Sequence, residues 1–231
     1  MRLIIVDGLD AAGKDTHAGI IKRKREQRGE RVLIRSHPED DNLFGRIAKQ
    51  ALFGTGKKNK VKASVFYALD VIRSMLRYYK SDEYDTLIIV RYLIGTAYLP
   101  FPVAKFAYKF FKTLLPTPEY MFFLDVSPDE ALRRIQKRRA YEMFETREEL
   151  VKVRKKALAL AQEGWHIINT NRPKQTVAAE IARIQGDCKY SRNLTYLKSL
   201  PIVPKTFINT DYLFIRYSCP QSGSRTRTMK L

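Results

Sequence analysis

Cysteine is scarce in this chain, with two residues in 231, Cys188 and Cys219, and neither sits in a C-x-x-C or Cys/His pairing. That excludes a disulfide framework and offers no zinc signature. Long apolar runs are missing too. No stretch reaches the roughly 18 apolar residues a membrane-spanning helix needs. The initial run RLIIV is too short for a signal peptide and meets Asp7, so a cytoplasmic protein without a membrane partner is expected. Acidic residues are outnumbered, 24 against 43 lysines and arginines, for a net charge of +19. Such a balance favours polyanionic partners. No helix-turn-helix or RNA-reading motif accompanies it, so no specific nucleic acid is expected. The apolar share, 45%, is ordinary for a globular chain, and the length suits one α/β domain of about 190 residues plus a tail.

What the chain does have is alternation. Strands are expected at 2–6, 31–36, 86–90, 120–126 and 165–169, and helices at 15–28, 43–52, 61–79, 101–114, 128–139, 147–163 and 174–185. The runs LIIV, VLIR, LIIV and MFFLDV are nearly continuous apolar segments, as in strands buried on both faces of a parallel sheet. Ligands on such sheets bind beyond the strand carboxyl ends. Chemistry is therefore sought at Asp10, His37 to Glu39, Arg91 with Tyr92, Asp125, and Asn169 to Arg172.

On helix 61–79, Val61, Val65, Ala68, Leu69, Ile72 and Leu76 have the spacing of a core stripe. Phe66, Asp70, Arg73 and Arg77 share another face, either to stack a base and hold a phosphate or as an exposed aromatic beside an i,i+3 ion pair. The run GKKNKVK at 56–62 is expected to be a solvated loop. The stretch from Pro100 to Pro118 alternates lysines with aromatics; burial in the core or at a subunit contact is the more economical reading than a membrane surface. From Cys188 the periodicity fades, so 188–231 is expected to be a basic tail, partly disordered or surface-packed.

The most informative stretch is RLIIVDGLDAAGKDTH, where an apolar strand runs into a glycine-bracketed loop, a lysine and a helix. Gly8 and Gly13 have the spacing of G-x-x-x-x-G-K-[ST], in which backbone N–H groups cradle phosphate oxygens and Lys14 reaches the β- and γ-phosphates. The following helix adds its positive end. One letter departs: the hydroxyl residue that normally meets magnesium is Asp15, with Thr16 one position later. A carboxylate about 6 Å from a phosphate charge costs on the order of 3 kcal/mol at an effective dielectric of 20, and a cation between the two reverses the sign. Asp15 is therefore expected to help hold magnesium, directly or through water.

With the other segments in view, residues 1–185 resemble the thymidylate kinase family of P-loop nucleoside monophosphate kinases. GLDAAGKDTHA is similar to its loop G-x-D-x-x-G-K-[ST]-T-[QH]; HPEDDNLFGR matches F-P-E-R-x-x-x-x-G-K at Pro38, Glu39 and Gly45. VFYALD resembles L-[FY]-A-A-D/N-R at Tyr67, Ala68 and Asp70, and IIVRYLIGTAY resembles the D-R-Y strand end at Arg91, Tyr92, Ala97 and Tyr98. LDVSPDEALRRIQKRRAYEMFE resembles the strand, helix and basic lid, with Arg133, Arg134, Lys137, Arg138 and Arg139 as its cations.

The resemblance implies an α/β fold, the P-loop NTPase three-layer sandwich with a central parallel sheet and helices on both faces. It places a kinase domain over 1–187 with a lid near 137–147, and it implies ATP, Mg2+ and a nucleoside monophosphate, deoxythymidylate first. For catalysis the expected residues are Lys14, Arg91 and Arg138. For ATP they are Gly8, Ala11, Ala12, Gly13, Lys14, Asp15, Thr16 and Arg134, with Asp15 and Thr16 near the metal. For the acceptor they are Asp10, which in the family contacts the sugar, with Glu39, Tyr67, Asp70 and Tyr98; by the resemblance Tyr67 is the stacking aromatic, and the helix-face spacing adds Phe66 and Arg73 as acceptor residues beside it. The resemblance alone suggests a homodimer.

Three departures stand out: Val90 replaces the strand-end aspartate, Val71 the arginine after Asp70, and Asp40 the arginine after Pro-Glu. The first removes an acid near the metal while Asp15 adds one, as if the carboxylate had been relocated. Two other assignments are compatible with parts of this pattern. A polyphosphate-dependent nucleotide kinase shares GLDAAGKD but continues with Gly in place of Thr16, and a nucleotide-binding paralogue with a decayed acceptor site would fit Val71 and Asp40.

Overall fold

The apolar runs form the strands expected of them. The computed structural model describes residues 1–54, 56–137, 146–162 and 164–187. Strands β1 (Arg2–Gly8), β2 (Val32–Ser36), β3 (Thr86–Val90), β4 (Tyr120–Asp125) and β5 (His166–Asn169) lie in the order β2-β3-β1-β4-β5. Every pairing is parallel, with Ile4 between Ile88 and Tyr120. Ile4, Ile5, Ile88, Ile89, Phe122 and Phe123 are wholly buried, because the three inner strands are covered on both faces. The edge strands alternate more: β2 carries Arg35 and β5 carries His166.

Helices α1 (Lys14–Glu26), α2 (Leu43–Leu52), α3 (Gly56–Tyr78), α4 (Phe101–Leu114), α5 (Pro128–Ile135), α6 (Arg147–Leu160) and α7 (Lys174–Ile184) connect the strands, with a short 3-10 segment at Ile94–Tyr98. Their starts are written locally. Asn42 caps α2 by accepting from the Gly45 N–H, and Ser127 and Thr146 cap α5 and α6 by accepting from Glu130 and Glu149 N–H, both in the S/T-x-x-E pattern. The Trp165 indole donates to the buried Tyr108 hydroxyl at 2.8 Å and anchors α4. Among the described residues no helix is long and apolar enough to cross a membrane.

Two expectations need correction. The stripe Val61, Val65, Leu69 and Leu76 is exposed, Leu76 at 82%. The face of α3 that turns inward carries Ala63, Asp70, Val71, Ser74 and Met75, because buried Asp70 has polar partners on the β2–α2 turn. Residues 56–62 are the first turns of α3 rather than a loop; Lys58 and Lys62 keep their charges in water while adding helical length. On α4, Ala104 and Tyr108 are buried, but Phe106 and Phe110 remain exposed, so the core accounts for only one side of that helix. The tail 188–231 and most of the expected lid lie outside the described residues.

Candidate active site

The site begins where β1 stops being apolar. Asp7 is buried, and its carboxylate accepts N–H bonds from Gly8 at 2.8 Å, Tyr92 at 2.8 Å and Ile94 at 3.0 Å. It thereby pins the phosphate loop to the turn after β3. Burial pushes the Asp7 carboxyl up, and the three N–H groups and Lys14 offset only part of that rise.

Beyond it the loop turns through left-handed backbone at Ala11 (φ 58°) and Gly13 (φ 87°). These are conformations that aim successive N–H groups into one concavity. Lys14 folds back into that loop: its Nζ donates to the Gly8 carbonyl at 3.0 Å and the Leu9 carbonyl at 2.5 Å and is almost wholly buried. Burial, aided by Arg91, pulls its pKa down to about 8. Arg134 braces the loop from outside, donating to the Ala11 carbonyl at 3.1 Å and the Thr170 carbonyl at 2.7 Å.

Asp15 and Arg91 meet beside the loop. The Ser36 hydroxyl donates to Asp15 at 2.6 Å, Arg91 donates to the Ser36 oxygen at 3.1 Å, and Arg91 lies 3.7 Å from the second Asp15 oxygen. Two strand ends, those of β2 and β3, and the first turn of α1 thus supply one cluster. Desolvation opposes ionisation of Asp15, but Arg91, Ser36 and Lys14 outweigh it and hold the carboxyl below its ordinary value. Arg91 itself takes φ 61°, a strained choice for a non-glycine residue. Thr16 is exposed in the first turn of α1.

A cavity of about 310 Å³ opens between this loop, the β2–α2 turn, α3 and the 3-10 segment. Asp10, Lys14, His37, Tyr67, Arg91 and Tyr98 line it, with Lys49 and Leu52 of α2 on the outer side. The Tyr98 hydroxyl donates to Asp10 at 2.5 Å, and burial next to that carboxylate raises the Tyr98 phenol well above its usual value. Tyr67 donates to the Tyr92 carbonyl at 3.3 Å.

The structure therefore brings together Asp10, Lys14, Tyr67, Arg91 and Tyr98, and it places other expected residues elsewhere. Glu39 turns back to accept from the Ser36 N–H at 2.6 Å. Phe66 packs on Phe44 with ring centroids 6.4 Å apart, and Arg73 lies 3.9 Å from Asp41. Asp70 is buried, bonded to His37 at 2.8 Å, the Glu39 N–H at 2.8 Å and Asn42 at 2.7 Å. Phe66, Asp70 and Arg73 thus do not act as one face of α3, and none of them lines the cavity. Asp125 is taken by Arg154 in a two-pronged pair at 2.7 and 2.8 Å. Arg138 lies outside the described residues. Asp7 and Ser36 were not singled out by sequence; an acid closing an apolar strand was the available signal for the first, and nothing distinguished the second.

A loop built for a polyphosphate, opening directly onto a pocket that can seat a second anion, is the working layout of a P-loop phosphotransferase. Comparison with known proteins narrows that class. The family model described as thymidylate kinase matches residues 6–181. Probable thymidylate kinases from Metallosphaera sedula and Pyrobaculum aerophilum are 31% and 28% identical over 192 and 189 residues, each across 80% of this chain and 93% and 96% of their own lengths. A solved thymidylate kinase structure from Candida albicans superposes with a TM-score of 0.61 at 19% identity, covering 80% of this chain and 92% of its own, and it supports the fold. The chain belongs to the thymidylate kinase family, whose members are nucleoside monophosphate kinases that phosphorylate dTMP to dTDP with ATP, generally with Mg2+.

Proposed function

We propose that this chain moves the γ-phosphoryl group of ATP onto the phosphate of deoxythymidylate, with the loop of residues 8–16 as donor site and the adjoining cavity as acceptor site. The observation that carries this is contiguity: Lys14, Asp10 and Arg91 line one cavity. An acceptor phosphate oxygen attacks the γ-phosphorus as the bond to the β–γ bridging oxygen breaks and ADP leaves. Such a reaction needs positioning and charge neutralisation rather than covalent help from the protein.

Lys14 leaves the Gly8 and Leu9 carbonyls for the donor phosphates, and Arg91 neutralises the transferring group from the β3 side. Arg134 keeps the loop in shape. Asp10, held by Tyr98, meets the acceptor sugar, and Tyr67 walls the base. Asp70 and Glu39 serve the pocket indirectly by fixing the β2–α2 turn, while Phe66 and Arg73 support α2 against α3. The basic lid, with Arg138, would add cations over the phosphates. The kinase domain spans 1–187 on this reading, with 188–231 a separate tail, and the enzyme works in the cytoplasm.

Mg2+ prefers hard oxygen ligands, one or two carboxylates together with substrate phosphates. Asp15 offers a carboxylate whose side chain is 61% exposed, and the Ser36 hydroxyl lies 2.6 Å from it, with Thr16 next along α1, so the donor set fits. When bound there the ion would neutralise phosphate oxygens as a Lewis acid. The exposed stripe of Val61, Val65, Leu69 and Leu76 on α3 supports a homodimer formed through that face.

The direct test is label transfer. ATP labelled in its γ-phosphate and incubated with dTMP should yield labelled dTDP with the wild-type chain and none with Lys14→Ala. Label appearing only as inorganic phosphate would contradict the assignment.

A further inference from the structure

Helix α4 carries three stripes, each written at i,i+3 and i,i+4 spacing. Ala104 and Tyr108 are buried and dock the helix on the body of the protein, where the Trp165 indole bonds the Tyr108 hydroxyl at 2.8 Å. Val103, Phe106, Phe110 and Leu114 form the second stripe, and all four are exposed, Phe106 at 75% and Phe110 at 54%. Lys105 and Lys109 form the third, both in solvent, with Lys112 continuing the spacing. At about 100° per residue the apolar and lysine stripes lie side by side on the part of the helix turned away from the core. The Lys105 ammonium stands 5.4 Å over the Phe101 ring, so cation and aromatic share one surface. No aspartate or glutamate occurs between Asp85 and Glu119, so this segment supplies no carboxylate of its own to the lysines. None of these stripe residues lines the acceptor cavity, and a contiguous exposed apolar patch marks a contact surface.

We propose that α4 seats the protein on an anionic lipid surface: Val103, Phe106, Phe110 and Leu114 enter the bilayer interface while Lys105 and Lys109 meet the headgroup phosphates. Helices that lie in the plane of a membrane pair an aromatic and aliphatic face with lysines, and they bind through buried apolar area together with attraction to anionic lipid. Such a helix is distinct from the spanning one that the short apolar runs exclude, so the expectation of no membrane partner narrows to no spanning segment. The helix is already folded and docked along its first stripe, so contact with lipid orders little that is not ordered before. Charge decides among the possible occupants of this face. A second copy seated by two-fold symmetry would bring two lysine stripes to one seam, between chains that each carry +19. The tail 188–231 holds eight lysines and arginines against one acid, so it too is like-charged. An anionic bilayer has the opposite sign, and being fluid it needs no matched groove to receive a convex helix face.

The test sediments the full chain with phosphatidylcholine vesicles made with and without phosphatidylglycerol. Wild type should partition onto the anionic vesicles about tenfold or more strongly than onto the neutral ones, and less so as salt rises. Phe106→Ser/Phe110→Ser keeps every charge and changes only exposed side chains. It should keep the wild-type melting temperature and lose about tenfold in binding to the anionic vesicles. Lys105→Gln/Lys109→Gln should lose about tenfold on the anionic vesicles and nothing on the neutral ones. Phe106→Trp should shift its emission to the blue on anionic vesicles and be quenched by lipids brominated in their acyl chains, which places the side chain below the headgroups. Undiminished binding by the folded serine variant would show that overall charge alone draws the chain to lipid, and it overturns the assignment of α4. Wild type that ignores both kinds of vesicle overturns it as well. So does a serine variant that sediments without lipid as a smaller species than wild type, because the face would then belong to a second copy.

Discussion

Lys14 holds its charge against its surroundings. Nearly complete burial lowers its pKa from 10.5 to about 8, a penalty of about 3 kcal/mol on the protonated form. The sign follows from proton counting. Between pH 8 and 10.5 the folded chain binds fewer protons at Lys14 than the unfolded chain. This group's contribution to stability is therefore complete above 10.5 and is lost as pH falls through 8. For function the same shift works the other way, because only the protonated lysine attracts polyphosphate. ATP affinity measured by calorimetry should be flat from pH 6.5 to 7.5 and about tenfold weaker at pH 9; affinity still flat at pH 9 would show that Lys14 keeps an ordinary pKa. Asp7 provides a second residue-scale expectation. Its two oxygens accept three N–H bonds, and Asp7→Asn turns one acceptor into a donor facing donors. Urea unfolding should show a loss of about 2 kcal/mol. Asp15→Asn should raise the magnesium concentration for half-maximal turnover by about tenfold, and an unchanged requirement would remove Asp15 from the metal.

At the scale of elements, the sheet was legible and α3 was not. Continuous apolar runs have one comfortable place in a soluble α/β chain, the two-sided interior of a parallel sheet, so β1, β3 and β4 could be read within a residue or two. Helix α3 carries two stripes, and the more apolar one faces outward. Its inward stripe contains Asp70, which is acceptable there only because His37, Asn42 and the Glu39 N–H satisfy it. Sequence periodicity records apolar spacing and cannot see that compensation. The same limit governed the site. The loop residues follow from a motif with a backbone reason behind it and His37 from its place just after a strand, whereas Ser36 depends on how the β2–α2 turn meets α3. That junction is tight: a Cβ on Gly45 would stand 1.9 Å from the Glu39 carbonyl oxygen. Gly45→Ala should therefore lower the melting temperature by several degrees and weaken acceptor binding more than ATP binding. An alanine variant with wild-type stability would show that the turn yields freely.

At the scale of the whole molecule, two features remain outside the pocket: a net charge of +19 and an exposed apolar face on α3 that includes Leu76, 82% accessible. The charge is consistent with polyanionic substrates and raises the encounter rate with them; raising salt should therefore lower kcat/KM for dTMP more than kcat. The apolar face is the proposed dimer contact. Leu76→Glu should convert dimer to monomer in sedimentation equilibrium without changing the circular dichroism spectrum, while a wild type that sediments as a monomer would rule out a dimer through this face. The reaction itself is read by ADP release from ATP and magnesium across a panel of ribo- and deoxynucleoside monophosphates, with Lys14→Ala alongside. Turnover should depend on Lys14 and be fastest with dTMP. Turnover indifferent to Lys14, or silence with dTMP despite measurable ATP binding, would contradict the proposed phosphoryl transfer.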